Sequence, residues 1–173
     1  MVVSVFGGSQ VSPGSTHYEE ALALGRLIAE KGHTVATGGY MGMMEAVSRG
    51  AHEAGGHVIG VTCEDIENWR PIRANAWVKE EHRTVTLLER LRILTEKCDA
   101  AVALPGGPGT LAEIALTWNL MIIGSRRRKL VLVGEGWELV FRRMFAVQSD
   151  FVPEGQQAML RFSPDVRSTL KLL

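Results

Sequence analysis

The sequence predicts an α/β fold in which crossover helices join the strands of a mostly parallel sheet. Three observations carry this: short β-branched runs alternate with longer amphipathic stretches, glycines punctuate the junctions, and three glycine-rich loops directly follow runs that read as strands. At 173 residues the chain has room for one compact domain with a real core and little for a second, so 1–173 reads as one α/β unit.

Val2 to Phe6 is the first expected strand, followed by the loop Gly7-Gly8-Ser9-Gln10. Thr16 is placed to cap a helix that runs through about Lys31, buries Ala21, Leu24, Leu27 and Ile28, and stops at Gly32. A second strand covers His33 to Thr37 and is interrupted by Gly38 and Gly39. A helix from about Gly42 to Ala54 follows, ended by Gly55-Gly56 ahead of a third strand at His57 to Val61. From Thr62 to Asn75 the periodicity fails around Trp69 and Pro71, which predicts a long loop, either covering a site or making an ordinary surface excursion. Val85, Leu88, Leu91, Ile93 and Leu94 support a helix from Thr84 that ends at Cys98-Asp99, before a strand at Ala100 to Leu104. Pro105 to Thr110 turns into a helix through about Ile123. A strand at Leu130 to Val133, a helix near Trp137 to Val147 and a terminal helix from Pro164 complete the chain. The run Arg126-Arg127-Arg128-Lys129 between helix and strand reads as a solvated or helix-C-terminal charge cluster rather than a nucleic-acid patch.

Composition removes several functional classes. Lys plus Arg and Asp plus Glu are both 19, so no global field recruits nucleic acid or an anionic membrane, and any anion site must be local. The apolar runs fall far short of the ~20 residues a spanning helix needs. Met1 leads directly into Val2-Val3-Ser4-Val5-Phe6 without a basic region or a cleavage site, so secretion is not expected. Cys63 and Cys98 suggest neither a disulfide framework nor a zinc site, and a reducing, cytoplasmic setting is the expectation. His52 and His57 miss the H-E-x-x-H spacing, because a residue and a glycine pair separate them from one helical face.

The chemistry converges on the glycine loops. Gly7-Gly8-Ser9, Gly38-Gly39-Tyr40-Met41-Gly42 and Gly106-Gly107-Pro108-Gly109-Thr110 would meet at the carboxyl edge of a parallel sheet. One such loop would read as a tight turn. Three in register predict a phosphate site built from backbone N–H groups and a helix dipole, with the Thr110 hydroxyl as a further donor. No Lys follows the glycines, so the ATP-binding P-loop pattern is missing. The G-x-G-x-x-A match at Gly107 to Ala112 comes late in the chain, and its nearest acid, Glu135, precedes Gly136, which disfavours a dinucleotide. Glu113, about one turn into the helix from Gly109, reads either as a first-turn acid on the helix dipole or as a carboxylate facing a ligand's ribose. Arg90 sits between Glu89 and Arg92 in a charged stretch whose default reading is a solvated face.

The stretch Leu104-Pro105-Gly106-Gly107-Pro108-Gly109-Thr110-Leu111-Ala112-Glu113 resembles the P-G-G-x-G-T-x-x-E motif of the LOG family, the cytokinin riboside 5′-monophosphate phosphoribohydrolases. The likeness extends through Val5 to Ser9, Tyr18 and Gly25, and Gly38 to Met44. It implies a Rossmann-like sheet flanked by helices on both faces, usually in a homodimer, with no metal or organic cofactor. It further implies Arg90 and Glu113 as the catalytic pair. Gly8, Ser9, Gly38, Gly39, Gly42, Met43, Gly106, Gly107, Gly109 and Thr110 would hold the nucleoside monophosphate. The expected reaction is hydrolysis of the base–ribose bond of AMP or an N6-modified relative. Departures concern base specificity: the family's Arg-Lys pair is Arg90-Leu91, its glycine loop is Thr37 to Glu45 here, and its double Glu is Ala112-Glu113. They bring the chain closer to a branch that includes molybdenum-cofactor carrier proteins, so a non-catalytic carrier of a nucleotide or phosphorylated cofactor is the alternative. The lysine decarboxylase label often attached to the family fails on chemistry, since none of the lysines lies in the glycine loops to anchor pyridoxal phosphate. The helices after Thr84 and Gly109 are apolar on more than one face, at Leu116, Trp118, Leu120, Met121 and Ile122. This predicts a homodimer unless the stripe is buried within the subunit.

Overall fold

The computed structural model describes residues 1–124 and 128–173. Seven strands form one sheet in the order β4-β3-β2-β1-β5-β6-β7, and every neighbouring pair is parallel. The strands are β1 (Val2–Phe6), β2 (Thr34–Thr37), β3 (Val58–Cys63), β4 (Glu80–Thr84), β5 (Ala100–Ala103), β6 (Lys129–Val133) and β7 (Leu160–Ser163). The helices are α1 (Thr16–Glu30), α2 (Met43–Glu53), α3 (Glu64–Trp69), α4 (Leu87–Glu96), α5 (Pro108–Ile122), α6 (Glu135–Val147), α7 (Glu154–Gln157) and α8 (Val166–Thr169).

The chain works outward from β1 to β4, then returns to lay β5 on the other side of β1. The order therefore reverses between β1 and β5, and the crevice at the carboxyl ends of these two strands is where an open parallel sheet accepts a ligand. Alternation along the strands feeds two cores. Val3, Val5 and Val102 pack with α1 and α2 on one face. Phe6, Ala101 and Ala103 pack with α4, α5 and α6 on the other. Helices α1 and α2 meet closely because Gly25 and Gly50 leave no Cβ to strike the carbonyls of Val47 and Leu22.

Several expectations need correction. Ser15, not Thr16, caps α1 by accepting from the Tyr18 N–H at 3.3 Å. The third strand continues to Cys63, and the segment read as a loop begins with α3. Thr84 ends a strand rather than opening a helix. Thr86 caps α4 in a reciprocal box with Glu89. Strands β4 and β7 went unread because each is an outer strand paired on one side only. The residues Glu80-Glu81-His82-Arg83 carry no apolar alternation, as is common where an edge faces water. The end of the chain holds only the short α8, capped by Asp165.

Of the basic run, Arg126 and Arg127 lie outside the described residues. Arg128 is buried and donates to the Glu96 carbonyl at 2.9 Å and the Cys98 carbonyl at 3.3 Å, satisfying the C-terminal end of α4. No helix among the described residues is long and apolar enough to cross a membrane.

Candidate active site

Three loops leave the carboxyl edge together, and Gly8 joins them. Its N–H donates to the Pro105 carbonyl at 3.0 Å, and its own carbonyl accepts from the Met43 N–H at 3.0 Å. This leaves no room beside it: Gly42 has φ 72°, and a Cβ there would sit 2.6 Å from the Ser9 Cα. The strand β1 loop, the turn into α2 and the turn into α5 are thereby fixed in one arrangement.

Gly107 and Gly109 differ from these structural glycines. Neither has a positive φ, and a Cβ on either would meet nothing within 4 Å. Gly109 lies inside α5, where glycine costs about 1 kcal/mol relative to alanine. The fold itself gives no reason for it. Both residues border open space above the first turn of α5, where Pro108 occupies the first position and the following N–H groups lack intrahelical acceptors. Such an end holds an anion.

That space is part of a cleft of about 610 Å³, within the range of small-molecule sites. Gly7 to Val11, Pro105 to Thr110, Tyr40, Met41, Met43 and Met44 line it, with Arg90 and Glu113 also exposed to it. Of the sequence-predicted residues, Gly8, Ser9, Met43, Gly106, Gly107, Gly109, Thr110, Arg90 and Glu113 share this cleft. Gly38, Gly39 and Gly42 shape the loop behind it. A Cβ at Gly38 would fall on the Arg90 guanidinium, and Gly39 donates its N–H to Thr37 Oγ1 at 3.1 Å.

Arg90 is not on a solvated face. It is 6% exposed, while its neighbours Glu89 and Arg92 face water. Its Nε donates to the Val61 carbonyl at 2.8 Å and Nη2 to the Gly38 carbonyl at 3.2 Å, and the guanidinium lies 5.6 Å from the centre of the Tyr40 ring. Tyr40 is fixed in turn, its hydroxyl accepting from the Cys63 N–H at 2.7 Å and donating to the Cys63 carbonyl at 3.1 Å. The remaining nitrogen, Nη1, stands 3.9 Å from Glu113 Oε1, an ion-pair distance rather than a hydrogen bond.

Glu113 is the sixth residue of α5, past the first turn, and is 7% exposed, so it is not a solvated dipole-capping acid. Burial raises its pKa to about 7, against the opposing pull of Arg90. The pair therefore combines a fixed cation with a carboxyl group poised near neutrality.

The 62–75 segment reaches the cleft through Ile66, Trp69, Arg70 and Ile72. Two anchors hold it. Glu67 receives Arg73 at 2.8 Å and Arg83 at 3.0 Å, and Asn75 Nδ2 donates to the carbonyls of Gly39 at 3.0 Å and Tyr40 at 2.9 Å. The sequence places Tyr40 in a site loop and Glu67, Trp69 and Asn75 in a loop that could cover a site, but gives none of them an individual part. Their partners are distant in the chain, and no spacing rule links them. The two histidines weighed as ligands part ways: His52 packs edge-on to Trp77 at 5.6 Å, and His57 bonds Glu80 at 2.8 Å.

Fold and cleft together define a class: a Rossmann-like α/β protein whose cleft lies at the topological switch point, on glycine loops and a helix N-terminus. Residues 1–139 match the SLOG cluster4 family, and the chain belongs to it. The cytokinin riboside 5′-monophosphate phosphoribohydrolase LOG of Oryza sativa subsp. japonica is 32% identical, the match covering 98% of this chain and 72% of that protein. The molybdenum cofactor binding protein of Rippkaea orientalis superposes with a TM-score of 0.77 at 25% identity, covering 99% of this chain and 93% of that one. The molybdenum cofactor carrier protein of Chlamydomonas reinhardtii gives 0.75 at 26% identity, covering 98% and 93%. The LOG-family likeness of the glycine motif thus extends across the chain.

Proposed function

We propose that the protein hydrolyses the N-glycosidic bond of a nucleoside 5′-monophosphate, AMP or an N6-modified adenosine monophosphate, to free base and ribose 5-phosphate. The observation that carries the reading is Glu113, a buried carboxyl group with pKa raised to about 7, facing Arg90 beneath an open helix N-terminus. A protein that only carries an anion gains nothing from an acid there, since like charge weakens phosphate binding.

In this reading the phosphate takes the N–H groups of Gly106, Gly107, Gly109 and Thr110, beside the loop at Gly8-Ser9 and the Gly38 to Met43 turn. Glu113 lies four positions after Gly109, about 6 Å along the axis, which sets the carboxylate beside the ribose. As the C1′–N bond breaks, its electron pair leaves with the base and positive charge develops on the ribose. The Glu113 carboxylate stabilises that charge and takes a proton from the attacking water, whose oxygen bonds to C1′; the departing base takes its proton from solvent and Glu113 returns its own there, so that one water is added across the broken bond. Arg90, held by two carbonyls, draws Glu113 towards its ionised form against the effect of burial and adds positive charge on the ligand side.

The structural likeness to molybdenum cofactor binding and carrier proteins favours a second reading, retention of a phosphorylated ligand without cleavage. One experiment separates them. Purified protein is incubated with AMP, other nucleoside monophosphates and isopentenyladenosine monophosphate, and free base and ribose 5-phosphate are measured, with Glu113→Gln as control. Release of base by the wild type alone supports hydrolysis. No release, with tight binding of a nucleotide or phosphorylated pterin, replaces it with the carrier reading.

A further inference from the structure

The lining of the cleft divides by chemistry. The loops around Gly8 and Gly106 to Thr110 present backbone N–H groups, and Arg90 with Glu113 presents the charged pair. Of what remains, Met41, Met44, Ile66, Trp69 and Ile72 form an apolar part, beside Gln10, His17, Tyr40 and Arg70. Trp69 stands out among these because its indole is 79% exposed. A tryptophan ring offers 150–250 Å² to bury, and one kept for packing would be covered.

The backbone around Trp69 is nonetheless held on both sides. Before it, the Asp65 carboxylate accepts from the Leu87 N–H at 2.9 Å and the Asp65 N–H donates to the Val85 carbonyl at 3.2 Å. Glu67 is clamped between two arginines, and beyond the ring Asn75 fastens the segment to the Gly39–Tyr40 turn. An exposed aromatic face on an anchored element, opening on a ligand cleft, is a preorganised stacking surface.

We propose that Trp69 is the platform on which the base of the nucleoside monophosphate stacks, with Met41, Ile66 and Ile72 completing a subsite for a planar heteroaromatic ring. The inference rests on the nucleoside monophosphate reading above and adds the residue that selects for the base. The polarity of the ligand matches the lining in order: anionic phosphate on N–H donors, ribose at the charged pair, apolar ring on the indole. Base–aromatic stacking tolerates different bases because each has a π-face, and it favours the larger purine surface.

The test compares a ligand that has a base with one that lacks it. AMP and ribose 5-phosphate are titrated into the Glu113→Gln protein, in which turnover is suppressed, with Trp69 intact or changed to Ala or Phe. Trp69→Ala is expected to weaken AMP about 10-fold, leave ribose 5-phosphate unchanged, and abolish quenching of indole fluorescence by AMP; Trp69→Phe recovers most of the affinity. Equal loss for both ligands, or no loss for AMP, overturns the assignment, as does failure of the parent protein to bind AMP. The two readings fail separately. Wild-type protein that binds AMP on Trp69 but releases no base keeps the subsite and loses the hydrolase. Base release that Trp69→Ala leaves untouched in both KM and kcat does the reverse.

Discussion

At the scale of single residues, the proposed hydrolysis turns on the ionisation of Glu113. Burial raises its pKa to about 7, so the carboxylate required beside a developing cation is half formed at neutrality. Activity as kcat/KM is expected to rise through an acid limb near pH 7 and to level off above it, a profile read from initial rates of base release. Arg90→Ala removes the charge 3.9 Å away that favours the ionised form, so that limb should move to higher pH while nucleotide affinity falls. The same group leaves a mark on stability. Because its folded-state pKa lies above the ordinary carboxyl value of 4.5, folding favours the protonated form. That contribution is complete below about pH 4.5 and is lost as pH rises through 7. Glu113→Gln, which cannot ionise, should therefore unfold at higher denaturant than the wild type at pH 8. The difference should be about 1–3 kcal/mol and should shrink towards pH 5. A stability difference independent of pH would contradict this assignment, whatever the activity shows.

At the scale of elements, α5 pairs a sequence feature that was legible with one that was not. The glycine run after β5 was readable as a phosphate loop because strand, glycines and helix are contiguous, and the inner strands β1, β2, β5 and β6 were readable because both their faces are buried. What stayed hidden depends on partners far along the chain. Strand β4 is charged and pairs only with β3, α3 is six residues long, and the inward turn of Arg90 follows from Val61, Gly38 and Tyr40. Its neighbours Glu89 and Arg92 made it look solvated. Within α5, Gly109 yields a prediction in which stability and binding move in opposite directions. Its Cβ would meet no protein atom, so Gly109→Ala should raise stability by about 0.5–1 kcal/mol through helix propensity and reduced freedom of the unfolded chain. The added methyl would stand in the space of the phosphate and weaken AMP or phosphate binding. Thermal unfolding and titration on one sample decide it, and unchanged affinity would move the anion away from this helix end.

At the scale of the molecule, the sheet carries a helical layer on each face, and the outer surfaces of those helices decide assembly. Part of the stripe expected to drive dimerisation is consumed within the subunit: Trp118 packs edge-on against Phe141 and Phe145 of α6 at 5.9 Å each, and Met121 and Ile122 pack against the same core. Other apolar side chains on or beside α4 and α5 are exposed. Leu88 is 77% exposed at the start of α4, next to Leu87 and Val85, and Leu111 is exposed on α5. Leu87, Leu88 and Leu111 lie on the helices that bring Arg90 and Glu113 to the cleft, so a subunit contact there would brace the elements carrying the pair. Apolar side chains exposed in this number are costly in a monomer when they gather into one patch and typical of a two-fold interface, where the same surface serves both copies. The protein is expected to run as a homodimer at micromolar concentration in light scattering. Leu88→Arg should place a charge on the interface, yield a folded monomer by circular dichroism, and lower kcat more than it raises KM, because the loss falls on the bracing of the charged pair rather than on the glycine loops. A wild type that is monomeric at those concentrations removes the dimer. A Leu88→Arg monomer with full activity keeps the dimer but removes its link to catalysis.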